Sequence, residues 1–352
     1  MSMEEPREGR CELCGEKSFL IARVLGLCRQ CIIERFSEAL PRITMVHAKV
    51  RRSFGLPYPA LEQFSACTVC VHRCGGEGVS FCGLLEDGKR WAGTGSKGLL
   101  EWYYDDLPTN CVATPFCPER GHFGYQNLAV FYAGCSFHCL FCQNWHFHTL
   151  LTERKPLVSV QELLKAVHPR VACVCFFGGD PGPQVAHALA FARKVWKRLR
   201  ICWETNGAVH PGILQVMYRL SCESGGMLKV DIKAFDERVH LALTGVTNKR
   251  TLENFQWLAE ESKKYDRPTV VASTLLVPGY VTEDEVASIA AFIARINPNI
   301  PYVLLGFAPN FFFDNLPTTS IEHAEKALRK CKEVGLKNVS VGNRFLLSFW
   351  YS

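Results

Sequence analysis

Three cysteines sit on one short loop, Ala133-Gly134-Cys135-Ser136-Phe137-His138-Cys139-Leu140-Phe141-Cys142-Gln143-Asn144, in the spacing C-x3-C-x2-C. The loop follows an apolar run, Asn127 to Tyr132, that reads as a strand. Three thiolates on one loop can hold three irons of a cubane [4Fe-4S] cluster and leave the fourth iron without a protein ligand. A cluster closed by four cysteines passes electrons, whereas one with a vacant corner can also bind a substrate. The same residues fit a zinc site short of its fourth ligand, or three unrelated buried thiols. The rest of the chain has to choose.

Thirteen of the 18 cysteines fall before residue 143, mostly in C-x2-C or C-x3-C spacings. Met1 to Arg10 is polar and charged, without the apolar stretch of a secretory signal. The cysteines are therefore expected to bind metal in a reducing compartment rather than to form disulfides, and a cytoplasmic location is expected. No apolar run approaches the roughly 20 residues of a membrane span, so no membrane partner is expected. A formal charge of +6 suits an anionic ligand as well as RNA and decides nothing. At 352 residues and 48% hydrophobic composition, the chain can bury a large core and a smaller appendage.

Cys11-x2-Cys14 and Cys28-x2-Cys31 form two knuckles, and four thiolates match tetrahedral zinc. A zinc-ribbon-like module is expected there, with a rubredoxin-like iron site as the competitor. Cys31 to Phe54 reads as helical through Ile32, Ile33, Phe36 and Leu40, with Pro41 as an interruption. The basic residues His47, Lys49, Arg51 and Arg52 read as a solvated face. Cys67, Cys70, Cys74 and Cys82 form a second group, and spacing alone does not separate zinc from an auxiliary cluster. His72 among them reads as a substitute ligand or, more simply, as a surface residue. Cys111 and Cys117 are either further ligands or ordinary thiols.

From Asn127 onward, short apolar runs alternate with amphipathic helices, the pattern of βα units on a parallel sheet. The expected strands are Asn127–Ala133, Val171–Phe177, Arg200–Glu204, Met227–Ile232, Thr269–Val277, Tyr302–Phe307 and Asn338–Val341. Ser159-x-x-Glu162, Thr282-x-x-Glu285 and Thr319-x-x-Glu322 are capping-box patterns. A helix is expected over Gln184–Leu199, its basic end facing water. The expected fold is α/β, a partial or full parallel βα (TIM-like) barrel over 126–345. A zinc-ribbon-like module and helix (1–60) and a second Cys-rich segment (61–125) precede it, and a tail (346–352) follows.

In such a barrel the chemistry lies at the C-terminal strand ends. There the chain places Gly178-Gly179-Asp180-Pro181, then Glu204-Thr205-Asn206-Gly207, then Val277-Pro278-Gly279-Tyr280. Lys229, Asp231 and Lys233 alternate on one face of their strand, and a charged file aimed inward is costly unless it holds a polar ligand. His146 and His148 lie just past the cysteine loop, as proton donors or as surface residues. Cys173 and Cys175 read as small hydrophobes of a buried strand.

The order of cysteine loop, Gly-Gly-acid, polar loop, Asp-x-Lys and Pro-Gly resembles radical S-adenosylmethionine (SAM) enzymes of the pyruvate formate-lyase-activating-enzyme type, over about 127–343. Val230 to Lys233, Leu243 to Thr247, Thr251 to Asn254 and Leu275 to Tyr280 carry the likeness. Cys142 to Trp145, the Cys67–Cys82 group and Val341-Gly342-Asn343 are similar to a neighbouring branch, the radical SAM member of the AmmeMemoRadiSam system.

The resemblance implies a [4Fe-4S] cluster on Cys135, Cys139 and Cys142 that cleaves SAM to methionine and a 5′-deoxyadenosyl radical. Gly178, Gly179 and Asp180 would meet the SAM amino group through their backbone, and Phe141 would pack near the adenine. Glu204, Thr205, Asp231 and Lys233 would line the methionine and ribose end, with Asp231 and Lys233 as the catalytic pair. A flavodoxin- or ferredoxin-type reductant would supply electrons, and the substrate would be a small molecule or a protein glycine. Two positions depart from the family pattern: Gly-Gly-Asp replaces Gly-Gly-Glu, and Gly306-Phe307-Ala308 lacks the polar residue that activating enzymes often carry. The rival from another class is a non-enzymatic iron–sulfur and zinc protein that carries electrons or binds RNA; nucleic acid is not expected as a partner.

Overall fold

Alternating apolar runs and helices produce one large sheet. The computed structural model describes residues 7–59 and 67–351. Nine strands form the sheet: β1 (Lys97–Asp106), β2 (Gln126–Tyr132), β3 (Leu157–Ser159), β4 (Val171–Gly178), β5 (Arg200–Thr205), β6 (Leu228–Asp231), β7 (Val270–Leu276), β8 (Tyr302–Gly306) and β9 (Val339–Gly342). Their order is β9-β8-β7-β6-β5-β4-β2-β1-β3. From β2 to β9 every neighbouring pair is parallel. β9 and β3 end the ladder and do not pair with each other, so the fold is a partial barrel.

The seven strands expected from sequence are all present, each within two residues of its expected bounds. Their apolar content reflects burial on both faces, which parallel strands between helices undergo. All seven residues of β7 are buried. The ten-residue β1 was not expected; it runs antiparallel to β2, from Leu100 opposite Tyr132 to Asp106 opposite Gln126. Its outer half, from Glu101 to Tyr104, is exposed, and this hides the period-two signal of a half-buried strand.

Helix caps follow two of the three expected boxes. Ser159 and Glu162 close a full capping box. Thr282 accepts from the Glu285 N–H, while the Glu285 carboxylate turns away to the backbone N–H groups of Phe235 and Asp236. The third box is shifted by one residue: Ser320 caps the helix Ile321–Glu333, and Thr319 instead donates to Leu276 O at 2.7 Å. The helix expected over Gln184–Leu199 is shorter, Val185–Val195, after a 3-10 turn at Gly182–Gln184.

The N-terminal region packs into the barrel's own core, through Ile21, Leu25, Ile32, Ile43 and Val50 among others. Its helices are α1 (Arg29–Glu34) and α2 (Phe36–Arg52), and the break falls at Arg35 rather than at Pro41, which α2 contains. Tyr280, behind the Pro-Gly turn, fixes the joint: its hydroxyl donates to Leu27 O and accepts from Ala22 N, both at 2.9 Å. Arg29 adds an ion pair to the buried Glu285 at 2.9 Å. Among the described residues no helix is long and apolar enough to cross a membrane.

Candidate active site

The cysteine loop leaves β2 at Tyr132 and crosses the C-terminal ends of β4, β5 and β6. Gly134 has φ +83, and a Cβ there would lie 3.0 Å from Cys82 O. The glycines of Gly-Gly-Asp serve the same close fit. A Cβ on Gly178 would come within 2.5 Å of Tyr132 O, and one on Gly179 within 2.4 Å of Gly134 O. These glycines let the β4 end lie flat against the cysteine loop. The N–H of Gly179 donates to Tyr132 O and that of Asp180 to Gly134 O.

Cys135, Cys139 and Cys142 line one side of a cavity of ≈ 390 Å³. The other walls bring together Phe141, Gly178, Gly179, Asp180, Glu204, Thr205, Asp231 and Lys233, whereas Val277 to Tyr280, also expected at a strand end, does not line the cavity. Phe137 N and Asn206 Nδ2 donate to Cys135 Sγ at 3.3 and 3.6 Å. Burial pushes the Cys139 thiol up to about 12 and the Cys142 thiol up to about 11, partly offset by the Lys233 ammonium. The bare thiols keep their protons, and a thiophilic metal must displace them. The three sulfurs do not all come within 4.8 Å of one another. That spacing suits a body larger than a single ion.

The polar residues divide into two kinds. Asp180 is buried and committed to the loop: its carboxylate accepts from Thr205 Oγ1 (2.6 Å), Asn206 N (3.1 Å) and Gly182 N (3.1 Å). Burial raises its pKa to about 6 despite those donors. Asp180 and Thr205 thus tie the ends of β4 and β5 together. Asp231 and Lys233 face the cavity as an ion pair, and Lys233 lies 5.8 Å from the Phe141 ring centroid. Asp231 Oδ1 is buried without a hydrogen-bond partner. A buried carboxylate oxygen left over in a cavity is an acceptor waiting for a ligand's donor, and it fits a bound SAM beside the three thiols.

The third member of the charged file reveals a feature the sequence did not. Lys229 is 1% exposed, and its ammonium donates to Cys111 Sγ (3.0 Å) and Cys175 Sγ (3.1 Å) while pairing with Glu204 at 3.3 Å. Cys111 belongs to a segment that plugs the barrel interior. Ala113 packs on Met227, Val271 and Val303 with Cys117 beside them, and Glu119 pairs with Arg200 at the start of β5. Cys111 therefore lines the cavity floor, and Cys175 is an acceptor for an ammonium rather than only a small hydrophobe.

The histidines also depart from expectation. His148 is buried between Phe54 and Phe311 at centroid distances of 4.2 and 5.6 Å, and burial lowers its pKa to about 3. It is neither a surface residue nor a proton donor near neutrality. His146 is half-exposed and stacks on Phe131 at 4.2 Å. His72 is not a free surface residue: it stacks on Phe81 at 3.7 Å and reaches Ser136 O at 2.7 Å. His47 and Arg51 of α2 are 0% and 1% exposed, so the basic face is solvated only at Lys49 and Arg52. His47 Nδ1 lies 3.0 Å from His138 Nδ1, a bond in which one ring donates to the unprotonated Nδ1 of the other, so at least one ring is neutral.

Far from the cavity, the sulfurs of Cys11, Cys14, Cys28 and Cys31 all lie within 4.8 Å of one another. Cys14 and Cys28 are 3.8 Å apart. Tetrahedral zinc with Zn–S bonds near 2.3 Å requires sulfurs about 3.8 Å apart. Against the push of burial, the N–H groups of Cys28, Cys14 and Leu13 hold the Cys11 thiol down at about 7.

Comparison with known proteins decides what the barrel is. The radical SAM superfamily matches residues 129–293, which include the cysteine loop and the ends of β4, β5 and β6. That stretch of the barrel is similar to radical SAM domains. The chain is 34% identical over 132 residues to the isethionate sulfite-lyase activating enzyme of Desulfovibrio desulfuricans, covering 37% of this chain and 40% of that one. It is 29% identical over 169 residues to the pyruvate formate-lyase 1-activating enzyme of Escherichia coli, covering 45% and 64%. It thus spans less than two thirds of the length of either relative. A solved domain of a pyruvate-formate lyase-activating enzyme from Bacteroides vulgatus aligns with a TM-score of 0.40 at 22% identity, over 49% of this chain and 99% of that domain. The matched stretch and the activating-enzyme relatives support an enzyme of this type over the non-enzymatic rival.

Proposed function

We propose that the chain binds a [4Fe-4S] cluster on Cys135, Cys139 and Cys142 and uses it to cleave SAM reductively, for hydrogen abstraction from a substrate. When bound, the cluster and SAM supply a 5′-deoxyadenosyl radical; the chain supplies its orientation. The observation that carries this reading is the open cavity against three thiols, with the orphaned Asp231 oxygen and Lys233 also lining it. Asp231 offers an acceptor, and Lys233 offers a cation held charged by Asp231. Burial works against that charge, and the Asp231 and cysteine groups overcome it. The Asp180–Thr205 brace ties the strand ends together, and Cys111 of the plug lines the cavity beside Lys229.

Anaerobic reconstitution with iron and sulfide, then SAM and dithionite, is expected to give 5′-deoxyadenosine. An intact cluster that gives none, with or without candidate substrates, contradicts the proposal. The reductant is proposed to be a flavodoxin- or ferredoxin-type protein, and the ribbon cysteines Cys11, Cys14, Cys28 and Cys31 to hold zinc.

A second reading of the substrate, a glycine of a partner protein, is favoured by the activating-enzyme relatives and by exposed aromatic residues that neighbour cavity residues in the chain. Trp145 beside the cysteine loop is 41% exposed, and Phe345 and Phe349, just beyond the cavity residue Asn343, are 77% and 89% exposed. Exposed aromatic side chains suit contact with a protein surface. The missing polar residue at Gly306-Phe307-Ala308 and the likeness to the AmmeMemoRadiSam branch favour another substrate. Transfer of radical signal to a partner's glycine, seen by electron paramagnetic resonance (EPR), would decide for the activating role.

A further inference from the structure

We propose that Cys67, Cys70, Cys74 and Cys82 hold a second iron–sulfur cluster of the [4Fe-4S] class, and that buried Arg51 is the cation shared between it and the barrel site.

The segment that carries these cysteines is fastened to the barrel's cysteine loop. Val71 N donates to Ala208 O at 3.1 Å, and His210 N to Val69 O at 2.8 Å, which anchors the segment to the β5 end. His72 meets Ser136 O. Cys82 and Cys67 share an apolar cluster with Cys135 and Cys142, and Cys74 shares another with Cys135 and Cys139. The second thiol group therefore packs against the barrel's cysteine loop rather than apart from it.

Sulfur spacing separates zinc from a cluster by comparison within the same molecule. The ribbon cysteines have closed to single-ion distances, whereas among the described residues no three sulfurs of the Cys67–Cys82 group come within 4.8 Å of one another. Nor do the three sulfurs of the barrel trio. The second group thus resembles the iron–sulfur trio and not the zinc-type quartet; here the inference rests on the cluster reading above. Its sulfurs also attract donors: Phe81 N reaches Cys74 Sγ at 3.4 Å, and Arg90 Nη2 reaches Cys67 Sγ at 3.3 Å. Hydrogen bonds to cysteine sulfurs are a lever on cluster potential.

Arg51 supplies the independent observation. Its guanidinium is 1% exposed, lies 3.6 Å from the Phe81 ring centroid, and donates to the carbonyls of Pro57 and Phe81. Among the described residues no carboxylate pairs with it. A buried cation without a counter-charge is strongly unfavourable. The groups that attract it are the thiols of Cys82, Cys135 and Cys74 and the Tyr58 hydroxyl. Protonated thiols do not neutralise a guanidinium, whereas thiolates ligating a metal do. A four-thiolate cluster on one side and the barrel cluster on the other give Arg51 two anionic neighbours.

Cys135→Ala, Cys139→Ala and Cys142→Ala combined in the full chain isolates the second group. After anaerobic reconstitution, that variant is expected to keep iron and acid-labile sulfide in equal amounts. Adding Cys74→Ser and Cys82→Ser is expected to remove both, with ribbon zinc and circular dichroism retained. A second zinc in place of iron, or no metal lost with Cys74 and Cys82, overturns the proposal. In the isolating background, Arg51→Gln is expected to lower the remaining cluster's reduction potential, because an added electron loses a nearby cation, and Arg51→Lys to restore part of it. An unchanged potential refutes the shared-cation role. Wild-type protein that lacks the barrel cluster but keeps this one would sink the proposed function and leave this inference standing.

Discussion

The ribbon cysteines and the barrel cysteines use the same side chain to opposite ends. Cys11, Cys14, Cys28 and Cys31 come from two knuckles that face each other, so four sulfurs close on one point and leave no room for a further ligand. Cys135, Cys139 and Cys142 come from one loop across strand ends, so their sulfurs spread along a cavity wall and leave one side open. Ligand geometry, more than ligand type, thus separates a structural metal from a reactive one. Closure stabilises; an open corner binds.

The largest break in that comparison is chemical. Cys139→Ala is expected to abolish the barrel cluster's iron and all 5′-deoxyadenosine formation while leaving zinc content unchanged, as read by metal analysis. Cys28→Ser is expected to do the reverse. Zinc is lost and the N-terminal joint loosens by several kcal/mol, since structural zinc sites supply folding energy outright. Barrel iron persists in that variant, and calorimetry shows a split or lowered transition.

Lys229 sharpens the contrast with a third set of thiols, Cys111 and Cys175, that surrounds an ammonium instead of a metal. Lys229→Met is expected to leave every metal count unchanged and to lower stability by about 2–3 kcal/mol in denaturant unfolding. That figure is near the low end for breaking a buried pair, because Glu204 stays partly exposed.

The smallest effect is at the joint between the two regions. Burial holds His47 down at about 4, against an ordinary 6.5. Between those values the unfolded chain binds a proton that the folded one refuses, so the stability His47 contributes is complete above pH 6.5. It is lost as pH falls toward 4, by about 2 kcal/mol at pH 5. His47→Gln is expected to flatten that part of the stability–pH curve, measured by urea unfolding from pH 7 to pH 5.

Local chemistry was legible in the sequence wherever a short segment determines it. The C-x3-C-x2-C loop, the seven apolar strands and the strand-end motifs Gly178–Asp180, Glu204–Thr205 and Asp231–Lys233 meet around one cavity. Long-range docking was not legible. Nothing in α2 distinguishes His47 and Arg51, which are buried against the cysteine loop, from Lys49 and Arg52, which face water. The plug at Cys111–Glu119 has no periodicity, and its role follows from contacts with Met227, Val271 and Val303 more than a hundred positions away. His148 looked free because the aromatic rings of Phe54 and Phe311 that enclose it come from distant segments.

The most direct test is the EPR spectrum of the reduced barrel cluster with and without SAM, in protein whose Cys74 and Cys82 are replaced by Ser. An iron corner free for the cosubstrate predicts changed g-values on adding SAM, and hyperfine coupling when its amino nitrogen and carboxylate oxygen carry magnetic isotopes. An unchanged spectrum without coupling, or zinc in place of iron on Cys135, Cys139 and Cys142, would contradict the account.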